Sequence, residues 1–412
     1  MIRVCDMIMG AGKTSAAITQ MVEDLDSNYI FITPYLSEVA RIKTACASRD
    51  FFEPEDNKGR KIDDLHYLLR AKRNIASTHA LFKAYNEETV QLIREGGYKL
   101  ILDEVAEVVQ KLEIHKDDID MMLSHGIIRI DEIGCVHWAD ESYDGRFASQ
   151  LKEMCMTGHV FLYDGCLMLW TFPVGVFEGF REVTVLTYMF DAQIQKYYFD
   201  LYGIQTTKIG TAQVDGCYRF VDDILVPEYV AELRNKVHIL EDKKLNGVGD
   251  KFHDLSVSWF ERASSAKGKP KIERLRKNVY NFYRGIHKSP SHKNLWTTFK
   301  AYETALSGKG YARGFLSFNT RATNEYRDRT HLAYCVNVFY NPFIKNYFLN
   351  NNIRVEEDMW ALSEMIQWVW RSSIRDGKDI WIYIPSARMR GLLKGWLDEQ
   401  ANIVKRQKGE LT

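Results

Sequence analysis

Apolar runs of strand length recur along this chain with helix-patterned segments between them, and that alternation limits the fold more than any other feature. IRVCDMIM (2–9), NYIFITP (28–34), RNIASTH (73–79), YKLILDE (98–104) and EVTVLTY (182–188) read as strands. TSAAITQMVEDL (14–25) and LSEVARIKTAC (36–46) carry apolar residues at helical spacing. Strands that are apolar on both faces, joined through helices, predict a parallel sheet covered on each side. The second half repeats the theme. ARGFLSFN (312–319), HLAYCVNVF (331–339) and DIWIYIPS (379–386) are strand candidates, and EDMWALSEMIQWVWRSSIR (357–375) and SARMRGLLKGWL (386–397) are helix candidates. The expectation is an α/β protein with one domain at 1–195 and another at 196–412. A polar, basic, helix-patterned insert spans about 235–305.

Composition narrows the class. With 46% hydrophobic and 27% charged residues in 412, the chain can bury a large core. Formal net charge is zero, which disfavours a binder that works by overall positive charge but leaves room for a local basic groove. The seven cysteines are scattered without a CxxC pair, so they read as reduced thiols of a cytoplasmic protein, with no zinc site expected. The N-terminus lacks the pattern of a signal peptide. The longest apolar stretch, GCLMLWTFPVGVF (165–177), is too short and too broken to span a bilayer, so no membrane partner is expected.

The first strand runs into MIMGAGKTSAA (7–17). Small residues at Gly10, Ala11 and Gly12 let backbone N–H groups converge on phosphate oxygens, while Lys13 neutralises charge. Thr14 offers a hydroxyl to Mg2+, and Ser15 follows in the first helical turn. The loop departs from the usual pattern in carrying Met7 where a glycine or alanine is common. KLILDEVAEVV (99–109) supplies the complementary element, a strand ending in Asp103 and Glu104. Asp103 is the candidate Mg2+ ligand and Glu104 the candidate base that orients water. Together they predict an ATPase that uses ATP and Mg2+.

Five stretches in chain order resemble the motifs of superfamily 2 helicases, and more narrowly the DEAD/DEAH-like helicases encoded by phages and prophages. MGAGKT (9–14) resembles motif I, ITPYLSEVARI (32–42) motif Ia and LDEVAE (102–107) motif II. LTYMFDAQ (186–193) stands where motif III would be, and QWVWRSSIRDG (367–377) resembles motif VI. RATNEYRDRTHLAYCVN (321–337) adds to the narrower likeness. The resemblance implies two RecA-like domains with ATP in the cleft between them and a DNA-driven cycle. It assigns Gln367, Arg371 and Arg375 to the far side of that cleft, with Arg375 as the arginine finger. Spacing of four and four would put the three on one helical face. It also implies nucleic-acid contacts at Thr33, at Thr78 and His79, and in the loop carrying Asn319, Arg321, Thr323 and Asn324. Motif II reads DEVA, with Ala106 where the family has Asp or His, and motif III carries Thr187-Tyr188. The family further implies a monomer in the cytoplasm of a bacterial host, acting on single-stranded or forked DNA beside replication proteins.

KGKPKIERLRKNVYNFYRGIHKSPSHKNLWTTFK (267–300) has about ten basic residues against one glutamate, with Tyr280, Phe282, Tyr283 and Trp296 interleaved. Positive charge with aromatic rings is what binding of a single strand uses. Lys267, Lys269, Lys271, Arg274, Arg276, Lys277 and Arg284 are the candidate phosphate contacts. Two other functions share the phosphate loop: a nucleotide-dependent switch without unwinding, and a terminase-like packaging ATPase.

Overall fold

The computed structural model describes residues 1–56, 60–265, 267–320 and 325–410. Contacts divide the chain into two units. The first comprises Met1–Met7, Gly12–Ile224 and Asn341–Val355; the second comprises Ile8–Ala11, Leu225–Tyr340 and Glu356–Thr412.

The first unit is built on β1 (Ile2–Asp6), β2 (Tyr29–Thr33), β3 (Phe51–Phe52), β4 (Asn74–Thr78) and β5 (Lys99–Asp103). The short strands β6 (Val109–Lys111), β7 (Ile128–Ile130), β8 (Val136–Trp138), β9 (Val160–Tyr163) and β10 (Leu167–Thr171) follow. Then come β11 (Glu182–Thr187), β12 (Thr206–Val214) and β13 (Cys217–Val221). Eight of these form one sheet in the order β13-β12-β1-β11-β5-β2-β4-β3. All its pairings are parallel except the β12–β13 hairpin at the edge. β2 is buried at every position, as its unbroken apolar run YIFIT demands in a sheet covered on both faces. β12 and β13 lie beyond residue 195 and still belong to this sheet.

Residues 109–170 leave the large sheet. β6, β10 and β9 make a small antiparallel sheet, and β7 and β8 a separate hairpin. The helix Pro342–Asn350 packs beside this region. Its Tyr347 ring meets Tyr163 edge to face at 5.8 Å, and Lys111 lies 5.1 Å from the Phe343 ring centre.

The second unit holds β14 (Val237–Ile239), β15 (Asn294–Thr297), β16 (His331–Tyr334) and β17 (Ile380–Tyr383), all parallel, in the order β14-β17-β16-β15. This corrects two expectations. The segment 312–319 is not a strand; it touches the sheet through a single bridge from Phe315 to Trp296. The fourth strand is Asn294–Thr297, from the stretch read as a helical insert. That stretch also supplies β14, so it is woven into the sheet instead of standing outside it. Its helix Lys269–Tyr280 buries Ile272, Leu275 and Val279 against Trp296, Ala333 and Tyr383. Among the described residues no helix is long and apolar enough to cross a membrane.

Candidate nucleotide site

β1 ends at Asp6, and the chain turns through the glycine loop into the helix Lys13–Glu23. Gly10 (φ 88°) and Gly12 (φ 82°) both take left-handed backbone conformations that a side chain would oppose. A Cβ at Gly12 would also come within 2.2 Å of the Tyr218 ring, so β13 presses an aromatic side chain on the loop. The helix has no acidic residue in its first turn and no side-chain cap, which leaves its opening N–H groups for an anion. Ala16, Ala17 and Met21 anchor its inner face. Thr14 is half-buried and Ser15 exposed.

The acidic pair is brought to the same sheet edge by topology. β11 lies between β1 and β5, with Asp6 opposite Thr187 and Leu186 opposite Asp103. Two strand spacings therefore separate the end of β1 from the end of β5, roughly 10 Å. β11 ties both ends down: the Met7 amide donates to the Thr187 carbonyl at 3.1 Å, and the Glu104 amide to the Leu186 carbonyl at 2.9 Å. Glu104 itself sits at φ 65°, an uncommon backbone for a glutamate, at the point where the strand breaks. The Ala106 amide, two residues on, donates to the buried Gln195 side chain at 2.8 Å.

Charge is crowded here. Lys13 donates to the Met7 carbonyl. Its ammonium is pushed below the usual lysine range by burial, opposed by Glu104, Cys5, Asp103 and Asp6. Burial raises the Asp103 carboxyl to about 7, with Glu104 and Glu38 adding to the shift and Lys13 and the Thr33 hydroxyl opposing it. A carboxylate so poorly compensated by protein is suited to a cation. Burial likewise raises Asp6, against the pull of Lys208 at 3.4 Å and the Phe190 amide at 3.1 Å. Gly12, Thr14 and Asp103 thus fit a phosphate chain with Mg2+.

Several candidates occupy other places than expected. Thr33 is fully buried, and its hydroxyl donates to Asp103 at 3.2 Å, so it braces the acidic pair and has no surface for a nucleic-acid backbone. His79 pairs through Nε2 with the Asp103 carbonyl at 2.9 Å, while Thr78 is half-buried at the end of β4. The loop positions Arg321, Thr323 and Asn324 lie outside the described residues.

In the second unit, the helix that starts at Glu357 ends at Val369, and a separate 3-10 turn covers Ser373–Asp376. Gln367, Arg371 and Arg375 therefore do not share one continuous helical face. Gln367 is buried and donates to Ser363 at 3.1 Å. Arg375 is half-buried; burial and the charge of Arg327 depress its guanidinium, opposed by Asp376.

The basic candidates Lys267, Lys269, Lys271, Arg274, Arg276, Lys277 and Arg284 are all exposed. Their interleaved aromatics mostly are not: Phe282, Tyr283 and Trp296 are fully buried, and only Tyr280 of the four is open, at 45%. The rings of Phe282, Tyr283 and Trp296 fill the core of this unit, where dispersion and dehydration favour them.

Two residues of this site carry no motif signal. Tyr218 comes from an edge hairpin 206 positions after Gly12, and only the sheet order places it on the loop. Asp6 falls inside the run 2–9 read as the first strand, and only the structure ends that strand at it.

Comparisons with known proteins agree with this architecture. Residues 231–397 match the family described as the YonV C-terminal Rossmann-like domain, and residues 109–170 match the YonV middle domain. A solved apo structure of XPD shares the fold with a TM-score of 0.50 at 10% identity, covering 96% of this chain and 95% of that one. The SPbeta prophage-derived uncharacterized protein YonV of Bacillus subtilis (strain 168) is 44% identical over 97% of this chain and 99% of its own length. A glycine loop and an acidic pair at one edge of a parallel sheet, followed by the two matched domains, thus form a single architecture, and the chain belongs to the YonV family.

Proposed function

We propose that this chain is an ATP-dependent DNA helicase or translocase, built from two RecA-like domains and serving phage DNA replication or recombination. The observation that carries the reading is the sheet edge where the loop of β1 and the acidic end of β5 flank β11. In this reading the loop amides and Lys13 hold the phosphates of ATP. Glu104 takes the proton of the attacking water, and Asp103 with Thr14 holds Mg2+. Mg2+ would supply electrostatic relief for charge on the phosphates. Arg375, aided by Arg371, stabilises the transition-state charge. The exposed basic face around Arg276 and Lys277 engages single-stranded or forked DNA.

The test is ATP hydrolysis with and without single-stranded DNA on wild type, Lys13→Ala and Arg375→Ala. DNA-stimulated turnover is expected. Lys13→Ala should lower it by more than about a hundredfold, the scale of losing a main transition-state contact. Full turnover in Lys13→Ala would refute the site. Turnover indifferent to DNA would favour the second reading, a nucleotide-dependent switch, to which Ala106 in motif II lends support. Cleavage of plasmid DNA with Mg2+ would instead favour a terminase-like ATPase.

A further inference from the structure

The hairpin β7–β8 lies far from the glycine loop in sequence, within the 109–170 region. Its connecting turn and the strand β8 that follows hold three side chains of different donor chemistry. Asp131, Cys135 and His137 each place one ligand atom within 4.8 Å of the other two. The turn is already shaped. The Asp131 carboxylate accepts the Ile133 amide at 3.1 Å and the Cys135 amide at 2.8 Å through Oδ1. Its Oδ2 pairs with His137 Nε2 at 2.8 Å. The Asp131 amide donates to the Cys135 carbonyl at 3.1 Å, and the Gly134 amide to the Asp131 carbonyl at 3.0 Å. The turn is also pinned to β9, because the Leu162 amide donates to the Gly134 carbonyl at 2.8 Å.

We propose that Asp131, Cys135 and His137 form a three-residue site for a divalent transition cation of the zinc class. The donor set decides the class. Thiolate and imidazole select zinc-like ions over Mg2+ or Ca2+, which prefer oxygen alone. Ligand atoms around a tetrahedral zinc lie roughly 3.5 Å apart, so a metal would part the Asp131–His137 pair, now at 2.8 Å, and draw the third ligand in from within 4.8 Å, shifts of about one ångström. The surroundings are asymmetric. Cys135 is 4% exposed, whereas the side chains of Asp131 and His137 are near 30% exposed, which leaves the fourth position open to water. A metal here also has structural work to do. A two-stranded hairpin is marginal on its own, and among the described residues β7–β8 is a two-stranded sheet tied to β9 only through an isolated bridge from Cys135 to Phe161 and the Leu162 amide. Binding would couple the turn to the fold, as small metal-stapled units do.

The same residues could be taken for a nucleophilic cysteine with its histidine and aspartate. The Cys135 Sγ instead donates to the Gly158 carbonyl at 3.4 Å, facing inward, and its burial denies a substrate access. A metal would take Cys135 as the thiolate, releasing the thiol proton to solvent and giving up the hydrogen bond to Gly158.

The test is titration of the chelator-treated, full-length protein with Co2+ as the spectroscopic probe, then displacement by Zn2+. One equivalent should produce a thiolate-to-cobalt charge-transfer band, with Zn2+ erasing it. Cys135→Ser should abolish the band and His137→Ala should weaken Co2+ affinity at least tenfold. Asp131→Asn is the variant that guards against misfolding, since its side-chain carbonyl can still accept both turn amides. It should keep the far-ultraviolet circular dichroism of wild type while also weakening Co2+ at least tenfold. Lys13→Ala should retain the band, which separates this site from the nucleotide site. Absence of the band in wild type or its survival in Cys135→Ser would overturn the proposal.

Discussion

The loop around Lys13 and the segment around Arg371 carry the two most recognisable patterns in the chain, and folding treats them differently. Gly10–Ser15 is contiguous. Its meaning depends on a turn and one helix start, and both appear where the residues demand them. The arginine segment was read by spacing, which holds only while a helix stays regular. The helix stops at Val369 because the chain must make a second turn before β17, with the Ser372 side chain capping it by accepting the Ile374 amide. A contiguous motif is thus robust to tertiary structure. A periodic one is hostage to the element that carries it.

Deleting the anchor of the second segment should have the larger effect on folding. Trp368 is fully buried, donates to the Leu316 carbonyl at 3.0 Å and meets the Tyr334 ring at 5.3 Å. Trp368→Ala should cost about 3–5 kcal/mol in denaturant unfolding of the full chain. A loss below about 1 kcal/mol would mean that the arginine segment is held by something other than this packing.

Gly12→Ala probes the first segment and should cost about 1–3 kcal/mol, from the left-handed backbone and the Tyr218 ring together. Adding Tyr218→Ala should recover part of that loss. If the double variant is no better than Gly12→Ala, strain in the backbone alone accounts for the cost.

A smaller effect in the second unit depends on pH. His331 on β16 stacks on Trp381 at 5.1 Å, and burial, with His287 beside it, lowers its pKa from 6.5 to about 4. The unfolded chain then binds the proton more readily than the folded one. Stability is complete above the unfolded value of 6.5 and falls progressively as pH drops toward about 4. His331→Phe keeps a ring on Trp381 and removes the proton. It should recover roughly 1–2 kcal/mol near pH 4.5, after allowance for partial exposure. An unfolding profile with the same acid slope in wild type and variant would rule this out.

The least effect is expected from single charges on the basic face. Arg276→Ala or Lys277→Ala should weaken single-stranded DNA binding about two- to tenfold and reduce its salt dependence by about one counterion each. Unchanged affinity and salt slope would return this face to ordinary solvated surface. Tyr280→Ala tests whether the one open ring contributes stacking, by a loss that salt does not alter.

Much of the fold is legible in the sequence. β1, β2, β4, β5 and β11 fall on the apolar runs named from sequence, because parallel strands buried on both faces cannot hide their composition. β15 was missed for the opposite reason. NLWT is short and sits in a basic stretch whose charges, on the neighbouring helix, masked its burial. The segment 312–319 reads as a strand because Leu316 is buried and Phe315 packs partly buried against the core, and burial alone does not say which secondary structure delivers it.

What sequence alone determined was local chemistry: a glycine loop able to cradle an anion, a lysine and hydroxyl behind it, and an acidic pair ending an apolar strand. These depend on bonds between neighbours in the chain, which folding does not rearrange. Tertiary structure alone decided who stands beside them. It placed β11 between the loop and the acids, turned Thr33 and His79 inward to hold Asp103, laid Tyr218 over Gly12, buried three of the four interleaved aromatics, and drew Asp131, Cys135 and His137 together. Each of those depends on strand order, helix length or turn geometry. They are set by the packing of the whole chain, because only the complete core fixes which surfaces lose water and which partners remain.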